Sequence, residues 1–285
     1  EEDVVQNGDF SELGSEEVVN GDFATDSDWI KSPFGVTISG GSANFTSGQD
    51  TYVYQDMMVI GKQYKISLEY NISSISSGYF GSNGGSGSSV VDMSGLIGLG
   101  AISGIITASS TKLIVRSASL TGSITNVSVK QVDPNDEWTL GTGWSIGNNK
   151  ITRTAQSGST SAYQDISFTS GKSYSITYTL DVSAGSSLIR LNGDGILETT
   201  SRSVDGTYTE VLTASGNYTR LNLRAFNGTF AGSITNVSVR EVTPSDHGGL
   251  INVPTWDLSQ PRIPQLGMMD WAISTPVSDE VTLVA

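Results

Sequence analysis

Two nearly identical stretches, GSITNVSVKQV at residues 122–132 and GSITNVSVREV at residues 232–242, decide the fold of this 285-residue chain. They lie 110 positions apart and differ at only two of their eleven positions. In the first stretch, Val127 and Val129 alternate with polar residues, a pattern typical of a strand with one buried face. We therefore predict that each stretch is the closing strand of a domain.

The repeat extends outward from these closing strands. TYVYQDMMVIGKQYKISLEY at residues 51–70 matches SAYQDISFTSGKSYSITYTL at residues 161–180, with a slip of one residue. A period of 110 residues is too long for a solenoid repeat and suits a whole β-sandwich of about 100 residues. The sequence therefore predicts tandem domains, module 1 over residues 18–132 and module 2 over residues 133–242.

Alternating residues within each copy predict strands throughout. Tyr64, Ile66 and Leu68 alternate with polar residues, glycine and serine cluster between such runs, as at residues 76–89, and no stretch carries a sustained helical stripe. We expect an all-β fold of two tandem jelly-roll-like β-sandwiches followed by an extended C-terminal arm. The buried positions of the strands are predicted to hold Tyr64, Tyr70, Tyr174 and Tyr178 and the paired Trp29 and Trp138.

The composition excludes several classes of function. Cysteine is absent and histidine occurs once, at His247, so the repeat offers no thiolate chemistry, zinc cluster or histidine-bearing triad. The net charge of −14 and the absence of a basic run predict that neither nucleic acid nor an anionic membrane is a partner. The most apolar window, residues 95–108, is too short to span a bilayer. We expect no enzymatic activity.

The ends of the chain differ from the repeat. Residues 1–17 form an opening segment with a partial repeat, because VVQNGDF at residues 4–10 anticipates VVNGDF at residues 18–23. Since the sequence starts at Glu1 and not at methionine, we expect a processed chain or a fragment. Residues 243–285 hold five of the seven prolines, which favours an extended arm. The arm is predicted to dock on a partner or a neighbouring subunit through its large apolar side chains, Trp256, Leu266, Met268, Met269 and Trp271.

Several motifs of module 1 resemble the carbohydrate-binding modules of the jelly-roll kind that are appended to bacterial glycanases. They are NGDF at residues 20–23, Trp29, GKQY at residues 61–64 and ITNVSV at residues 124–129. Module 2 matches this pattern except at its start, where DPND at residues 133–136 replaces NGDF. Tandem modules rich in glycine, serine and threonine also resemble the fibre, spike and decoration proteins of tailed bacteriophages.

The first resemblance implies a structural calcium between the opening Asn-Gly-Asp and a closing pair of acids. Here the closing positions are Thr125 and Asn126, which supply less of the carboxylate charge that calcium prefers, so Asp22 remains as the candidate ligand. The alternative is that Asn20 and Asp22 form a turn. We expect no other cofactor.

Sugar-binding sandwiches stack aromatic rings on sugars and bind the hydroxyl groups with planar polar side chains. The strand phase predicts that one outer face of module 2 carries Tyr163, Asp165, Arg190, Asn192, Arg220, Asn222 and Arg224. In module 1 the equivalents are Tyr54, Asp56, Lys112 and Arg116, and the Arg190 strand is replaced by a Gly/Ser-rich loop with Tyr79 and Phe80. Two interpretations stay open: a face that binds a glycan, including an acidic one, and a solvated sheet held by salt bridges.

The resemblances favour a non-enzymatic structural protein on a virion surface, such as a phage fibre, spike or head-decoration subunit. Its modules would adhere to host glycans, and its arm would bind other virion proteins or copies of itself, which implies a homo-oligomer. One alternative is the carbohydrate-binding portion of a secreted bacterial polysaccharide-degrading enzyme. Another is a subunit of an extracellular filament, whose arm adds a strand to the next subunit.

Overall fold

The computed structural model of the chain describes residues 2–46 and 50–242, except for the side chains of Asn227 and Gly228. Within these ranges the structure consists of antiparallel strands and one 3-10 turn, which confirms the predicted all-β fold. No helix in the described part of the chain is long and apolar enough to cross a membrane. The predicted docking residues of the arm lie outside the described residues: Trp256, Leu266, Met268, Met269 and Trp271.

Module 1 is a sandwich of two sheets. The strands are β1 (Leu13–Glu16), β2 (Ile30–Lys31), β3 (Val36–Ser39), β4 (Ser42–Phe45), β5 (Thr51–Asp56), β6 (Gln63–Ser74), β7 (Gly78–Ser82), β8 (Val90–Asp92), β9 (Gly98–Thr107), β10 (Lys112–Ser117) and β11 (Thr121–Val132), with a 3-10 helix at Gly87–Ser89. One sheet has the strand order β3-β4-β11-β6-β9, with β1 also on β11, and the other has the order β2-β5-β10-β7-β8.

Module 2 pairs its strands in the same order, but two long strands join them into one eight-stranded sheet. The strands are β12 (Thr139–Leu140), β13 (Trp144–Ile146), β14 (Ile151–Arg153), β15 (Ser161–Gln164), β16 (Ser173–Gly193), β17 (Ile196–Glu198), β18 (Gly206–Thr213) and β19 (Tyr218–Val242). β16 and β19 pair along most of their lengths and pass from one layer of the sandwich into the other. In module 1 the segment that corresponds to β16 is divided into β6 and β7, and the segment that corresponds to β19 is divided into β10 and β11.

The predicted buried faces form two hydrophobic clusters, one for each module. Tyr64, Ile66 and Val129 in module 1 and Ile176 and Val239 in module 2 have essentially no solvent exposure. In both closing strands the asparagine of the repeated ITNVSV motif has positive φ, and the pairing with the neighbouring strand is irregular there. The repeated sequence therefore encodes a repeated irregularity as well as a repeated strand.

The opening segment completes module 2. Phe10 is buried in the hydrophobic cluster of module 2, with its ring centroid 5.2 Å from that of Trp138. The Trp138 indole N–H donates to the Asn7 carbonyl oxygen at 3.1 Å, and the Val237 amide donates to the Gly8 carbonyl oxygen at 2.8 Å. NGDF at residues 7–10 thus provides the motif that is missing from the sequence at residue 133.

Residues 20–23 make the same contacts inside module 1. Phe23 lies 4.9 Å from Trp29, whose indole N–H donates to the Asn20 carbonyl oxygen at 2.9 Å. A Cβ atom on Gly21 would lie 2.2 Å from the carbonyl oxygen of the closing strand at Val127, and Gly8 makes an equally close approach in module 2. The glycine is needed because the two backbones touch there.

The two modules contact each other within one compact unit that ends at Val242. The Gln63 side-chain oxygen of module 1 accepts a hydrogen bond of 2.9 Å from the Ile146 amide of module 2. Lys62 forms an ion pair with Asp136 near the same contact. The domain boundaries at residues 18–132 and 133–242 remain a prediction from the repeat, and the contacts of residues 3–10 attach that part of the opening segment to module 2.

Candidate glycan-binding faces

The candidate face of module 1 is the outer side of the sheet β2-β5-β10-β7-β8. Val53 and Gln55 on β5 are buried, so the residues that alternate with them lie on the outer side. In register across the sheet, Tyr54 lies opposite Ile114, Asp56 opposite Lys112 and Tyr52 opposite Arg116. The structure therefore brings together the predicted residues Tyr54, Asp56 and Arg116.

The Gly/Ser-rich region of module 1 contains a strand, which corrects the loop predicted there. Tyr79 on β7 lies opposite Arg116, and Phe80 has no solvent exposure. Glycines at the ends of β7 obscure its alternation, but the side chains still divide into an outer tyrosine and a core phenylalanine. Tyr79 thus joins the face, while Phe80 belongs to the core.

Polar contacts hold the side chains of this face in place. The Lys112 ammonium group lies 3.9 Å from the centre of the Tyr54 ring and 3.4 Å from an Asp56 carboxylate oxygen. Arg116 donates two hydrogen bonds to Asp50, from Nε at 2.9 Å and from Nη2 at 2.5 Å. An open depression of about 390 Å³ beside this pair is lined by Tyr79, Asp92 and Ser94, among others. The depression offers one aromatic ring and several polar groups to a ligand.

The candidate face of module 2 is built by β15, β19 and the second half of β16. Tyr163 lies opposite Asn222, which in turn lies opposite Arg190. Asn192 lies opposite Arg220, and Ser161 lies opposite Arg224. The predicted residues on these strands therefore occupy one contiguous surface, and Asp165 joins them through its contact with Arg220.

The arginines of this surface differ in their partners. Arg220 lies 3.8 Å above the Tyr163 ring and donates to Asp165 at 2.7 Å. Arg190 pairs with Glu198 on β17. Asn222 is largely buried and donates to the Arg190 carbonyl oxygen at 3.3 Å, so only part of its amide is available to a ligand. The candidate glycan-binding face is therefore also a sheet held by salt bridges, those of Arg190 and Arg220.

An ion pair favours the charged form of Asp50 on the face of module 1. The hydrogen bond from Arg116 lowers the pKa of Asp50, and the hydrogen bond with Asp165 raises the pKa of Arg220. A general acid needs a carboxyl pKa that is raised toward neutrality. Asp50 is shifted in the opposite direction and acts as an anchor for Arg116.

The loop around the candidate calcium ligand Asp22 has the geometry of a turn. The Asp22 carboxylate accepts a hydrogen bond of 3.2 Å from the Ala24 amide, and the Asn20 amide donates to the carbonyl oxygens of Thr25 and Ser27. No group of three histidine, cysteine or acidic side chains that could hold a metal ion occurs in residues 2–46 and 50–242. These contacts fit the turn interpretation of Asn20 and Asp22.

Sequence reasoning missed three residues of the two faces, Asp50, Tyr52 and Glu198, and placed Tyr79 in a loop. The alternation on β5 could have identified Tyr52, because it lies two positions before Tyr54. Asp50 and Glu198 could not be identified in this way, since their roles depend on contacts across strands with Arg116 and Arg190.

No protein-family model matches the sequence, and no curated protein sequence matches it. Among solved structures, the tandem CBM22-1–CBM22-2 domain of Xyn10C from Paenibacillus barcinonensis is similar, with 10% identity, a TM-score of 0.32, and coverage of 82% of this chain and 99% of that one. A triple jelly-roll protein of an archaeal virus has 13% identity, a TM-score of 0.25, and coverage of 81% and 60%. Allantoicase from Saccharomyces cerevisiae has 10% identity, a TM-score of 0.30, and coverage of 83% and 92%. Similarity at this level identifies no function for the chain.

Proposed function

We propose that this chain is a non-enzymatic structural protein of a virion surface, and that it binds glycans through the outer faces of both modules. One observation carries the glycan part. The same group of a tyrosine ring, a cation above it and an aspartate beside the cation occurs twice, as Tyr54, Lys112 and Asp56 and as Tyr163, Arg220 and Asp165. The cation covers one face of each ring, which leaves the opposite face and the ring edge for a sugar, and the polar atoms of the ion pair can bind hydroxyl groups.

Other features support the remaining parts of the proposal. The acids of the faces anchor arginines and a lysine, as Asp50 does for Arg116, which suits binding more than catalysis. The virion surface is supported by the resemblance to phage fibre and decoration proteins and by the apolar, proline-rich sequence of residues 243–285, which suits an anchoring arm. Homo-oligomerisation follows from the same resemblance.

A glycan array probed with the full-length chain tests the binding. We expect saturable binding that is weakened by Tyr54→Ala or Tyr163→Ala and abolished when both are changed. Thr209→Ala, an exposed residue on β18, is the matched control that should bind like the unchanged chain. Absence of saturable binding to every glycan class, by a chain with an intact fold, would refute the glycan part.

Antibody labelling of intact purified virus particles tests the location. We expect the antibody to decorate the particle surface. Recovery of the chain only as part of a larger secreted polysaccharide-degrading enzyme would contradict the virion proposal and support that alternative.

A further inference from the structure

Arg116 and Arg224 occupy equivalent positions in the two modules. On β5 and β15, Gln55 corresponds to Gln164, and these residues lie opposite Leu113 and Leu221. Three residues further along, each neighbouring strand places an arginine on the outer face. The chain therefore contains two versions of one arginine site.

Module 1 fills this site with its own carboxylate. Asp50 precedes β5 and binds the Arg116 guanidinium in a bidentate manner, with Nε to Oδ1 at 2.9 Å and Nη2 to Oδ2 at 2.5 Å. This planar pairing is the geometry in which arginine recognises carboxylates in general. Module 1 thus shows that the site accommodates a carboxylate.

Module 2 lacks that carboxylate. The position of Asp50 is occupied by the exposed Ser159, and the buried Nε of Arg224 has no hydrogen-bond partner. The two other arginines of the face, Arg190 and Arg220, are paired with Glu198 and Asp165. A buried N–H group without an acceptor is costly, so a carboxylate that reached the Arg224 guanidinium after a turn of the side chain would satisfy Nε.

A second buried polar atom lies on the same surface. Asn192 Oδ1 also has no hydrogen-bond partner, and Asn192 lies opposite Arg220 on the neighbouring strand. Module 2 therefore holds an arginine donor and an amide acceptor that are both covered and both unsatisfied, with the Tyr163 ring on the same sheet. This combination suits a sugar that carries both a carboxylate and hydroxyl groups.

We propose that module 2 binds a glycan containing an acidic sugar, and that Arg224 receives its carboxylate in the place that Asp50 takes in module 1. The proposal rests on the proposed function and specifies its ligand class. Module 1, whose arginine is already neutralised, binds neutral sugars. The exchange of one residue, aspartate for serine, thus gives the two faces different specificities.

Titration of the full-length chain with a panel of acidic oligosaccharides, each beside its carboxyl-reduced neutral counterpart, tests this proposal. We expect reduction of the carboxyl group to weaken binding at least tenfold. Arg224→Gln should weaken binding of the acidic member to the same degree and leave that of the neutral member unchanged, whereas Arg224→Lys should retain part of it. Thermal unfolding of each variant checks that the fold is intact.

A reciprocal exchange separates recognition from stability. Ser159→Asp should supply Arg224 with an internal carboxylate and so abolish the preference for the acidic sugar. Asp50→Ser should free Arg116 and, in an Arg224→Gln background, create an acidic preference in module 1. Both substitutions lie at the margin of a sheet, outside the hydrophobic clusters.

The outcomes distinguish this proposal from the one on which it rests. Equal binding of acidic and neutral members, with no effect of Arg224→Gln, would overturn the acidic specificity and leave glycan binding standing. Binding of an oligo-aspartate peptide, but of no oligosaccharide, through Arg224 would assign the site to an acidic protein. Failure of every oligosaccharide and of the peptide would overturn this proposal and the glycan part of the proposed function.

Discussion

Module 1 is continuous in sequence, whereas module 2 is split around it. Phe23 and Trp29 lie six positions apart, but their counterparts Phe10 and Trp138 are separated by the whole of module 1. Both pairs nevertheless form the same contact between ring and indole. The comparison teaches that the duplicated NGDF motif is a component of module 2 that precedes module 1 in the chain.

The split has a consequence for stability. Because the opening segment closes module 2, a fragment of residues 133–242 alone would leave Trp138 without Phe10 and the Val237 amide without its acceptor at Gly8. The full-length chain is therefore the appropriate material for binding experiments on module 2. Loop-closure entropy grows only slowly with length, so the long insertion is tolerated.

The largest expected effect comes from the two matched phenylalanines. Phe10→Ala should destabilise module 2 by about 3–5 kcal/mol, and Phe23→Ala should destabilise module 1 to a similar degree, because each removes a buried ring from a close-packed site. Denaturant unfolding followed by tryptophan fluorescence measures both. A Phe10→Ala variant that lost less than about 0.5 kcal/mol, the scale of a surface substitution, would show that the opening segment is dispensable.

A second comparison concerns the residue that pairs with the glycine of the closing motif. Module 1 has Phe45 opposite Gly122, and module 2 has Arg153 opposite Gly232. Arg153 is almost fully buried and donates to the carbonyl oxygens of Phe230, Gln156 and Gly158, the last at 2.8 Å. Burial lowers the pKa of Arg153, and the carbonyl oxygens compensate its charge in place of an acid.

Arg153→Met should therefore destabilise module 2 by about 2–3 kcal/mol, because carbonyl oxygens that accept from a charged group lose their donor. The conservative control Phe45→Leu in module 1 should cost less than about 1.5 kcal/mol. Thermal unfolding of the two variants gives the comparison. An Arg153→Met variant as stable as the unchanged chain would show that water replaces the guanidinium at no cost.

The sequence predicted much of this fold because the repeat and its alternation are local signals. The two closing strands, the alternation of Tyr64 with its neighbours and the outer position of Tyr163 all follow from a period of two. The pairing of Phe10 with Trp138 does not, since it depends on a contact over more than a hundred residues. The sequence shows an additional NGDF before module 1 and the absence of NGDF at the start of module 2. Only the fold shows that the additional motif packs into module 2.

The candidate site was predictable to a similar extent. Strand phase placed Arg116 and Arg224 on outer faces, but it did not show that one is neutralised by Asp50 and that Nε of the other lacks a hydrogen-bond partner. That difference depends on a residue just outside a strand, where alternation gives no information. Likewise, Glu198 became part of the face only through its pairing with Arg190 across β16 and β17.

A smaller effect is expected at the contact between the modules. Gln63 lies in the GKQY motif of module 1, and the equivalent residue of module 2 is Ser173, which hydrogen-bonds with Thr213. Gln63→Leu should destabilise the chain by about 1–2 kcal/mol, because the Ile146 amide loses its acceptor. Ser173→Ala is the matched control and should cost less than about 0.5 kcal/mol, as surface changes usually do. Equal effects of the two substitutions in denaturant unfolding would show that Gln63 does not couple the modules.

The smallest expected effect depends on pH and distinguishes the edge strands of the two modules. Glu210 on β18 corresponds to Gly104 on β9, since each lies opposite the matched Ile176 or Ile66. Burial would raise the pKa of Glu210, but hydrogen bonds from Thr200 and Arg202 outweigh it and lower the pKa. The resulting stabilisation is present above the unfolded pKa of about 4.3 and is lost as the pH falls through the lower folded value.

Glu210→Gln should accordingly reduce the loss of stability of module 2 at acid pH. The pH dependence of the stability of module 1 should not change. The difference in unfolding free energy between the unchanged chain and the variant should be below about 1 kcal/mol near neutral pH and should shrink below about pH 4, because a partly exposed ion pair is worth little. Chemical unfolding at a series of pH values measures this difference. A difference that stayed constant down to the acid limit would assign the role of Glu210 to its hydrogen bonds with Thr200, which glutamine retains in part, and not to its charge.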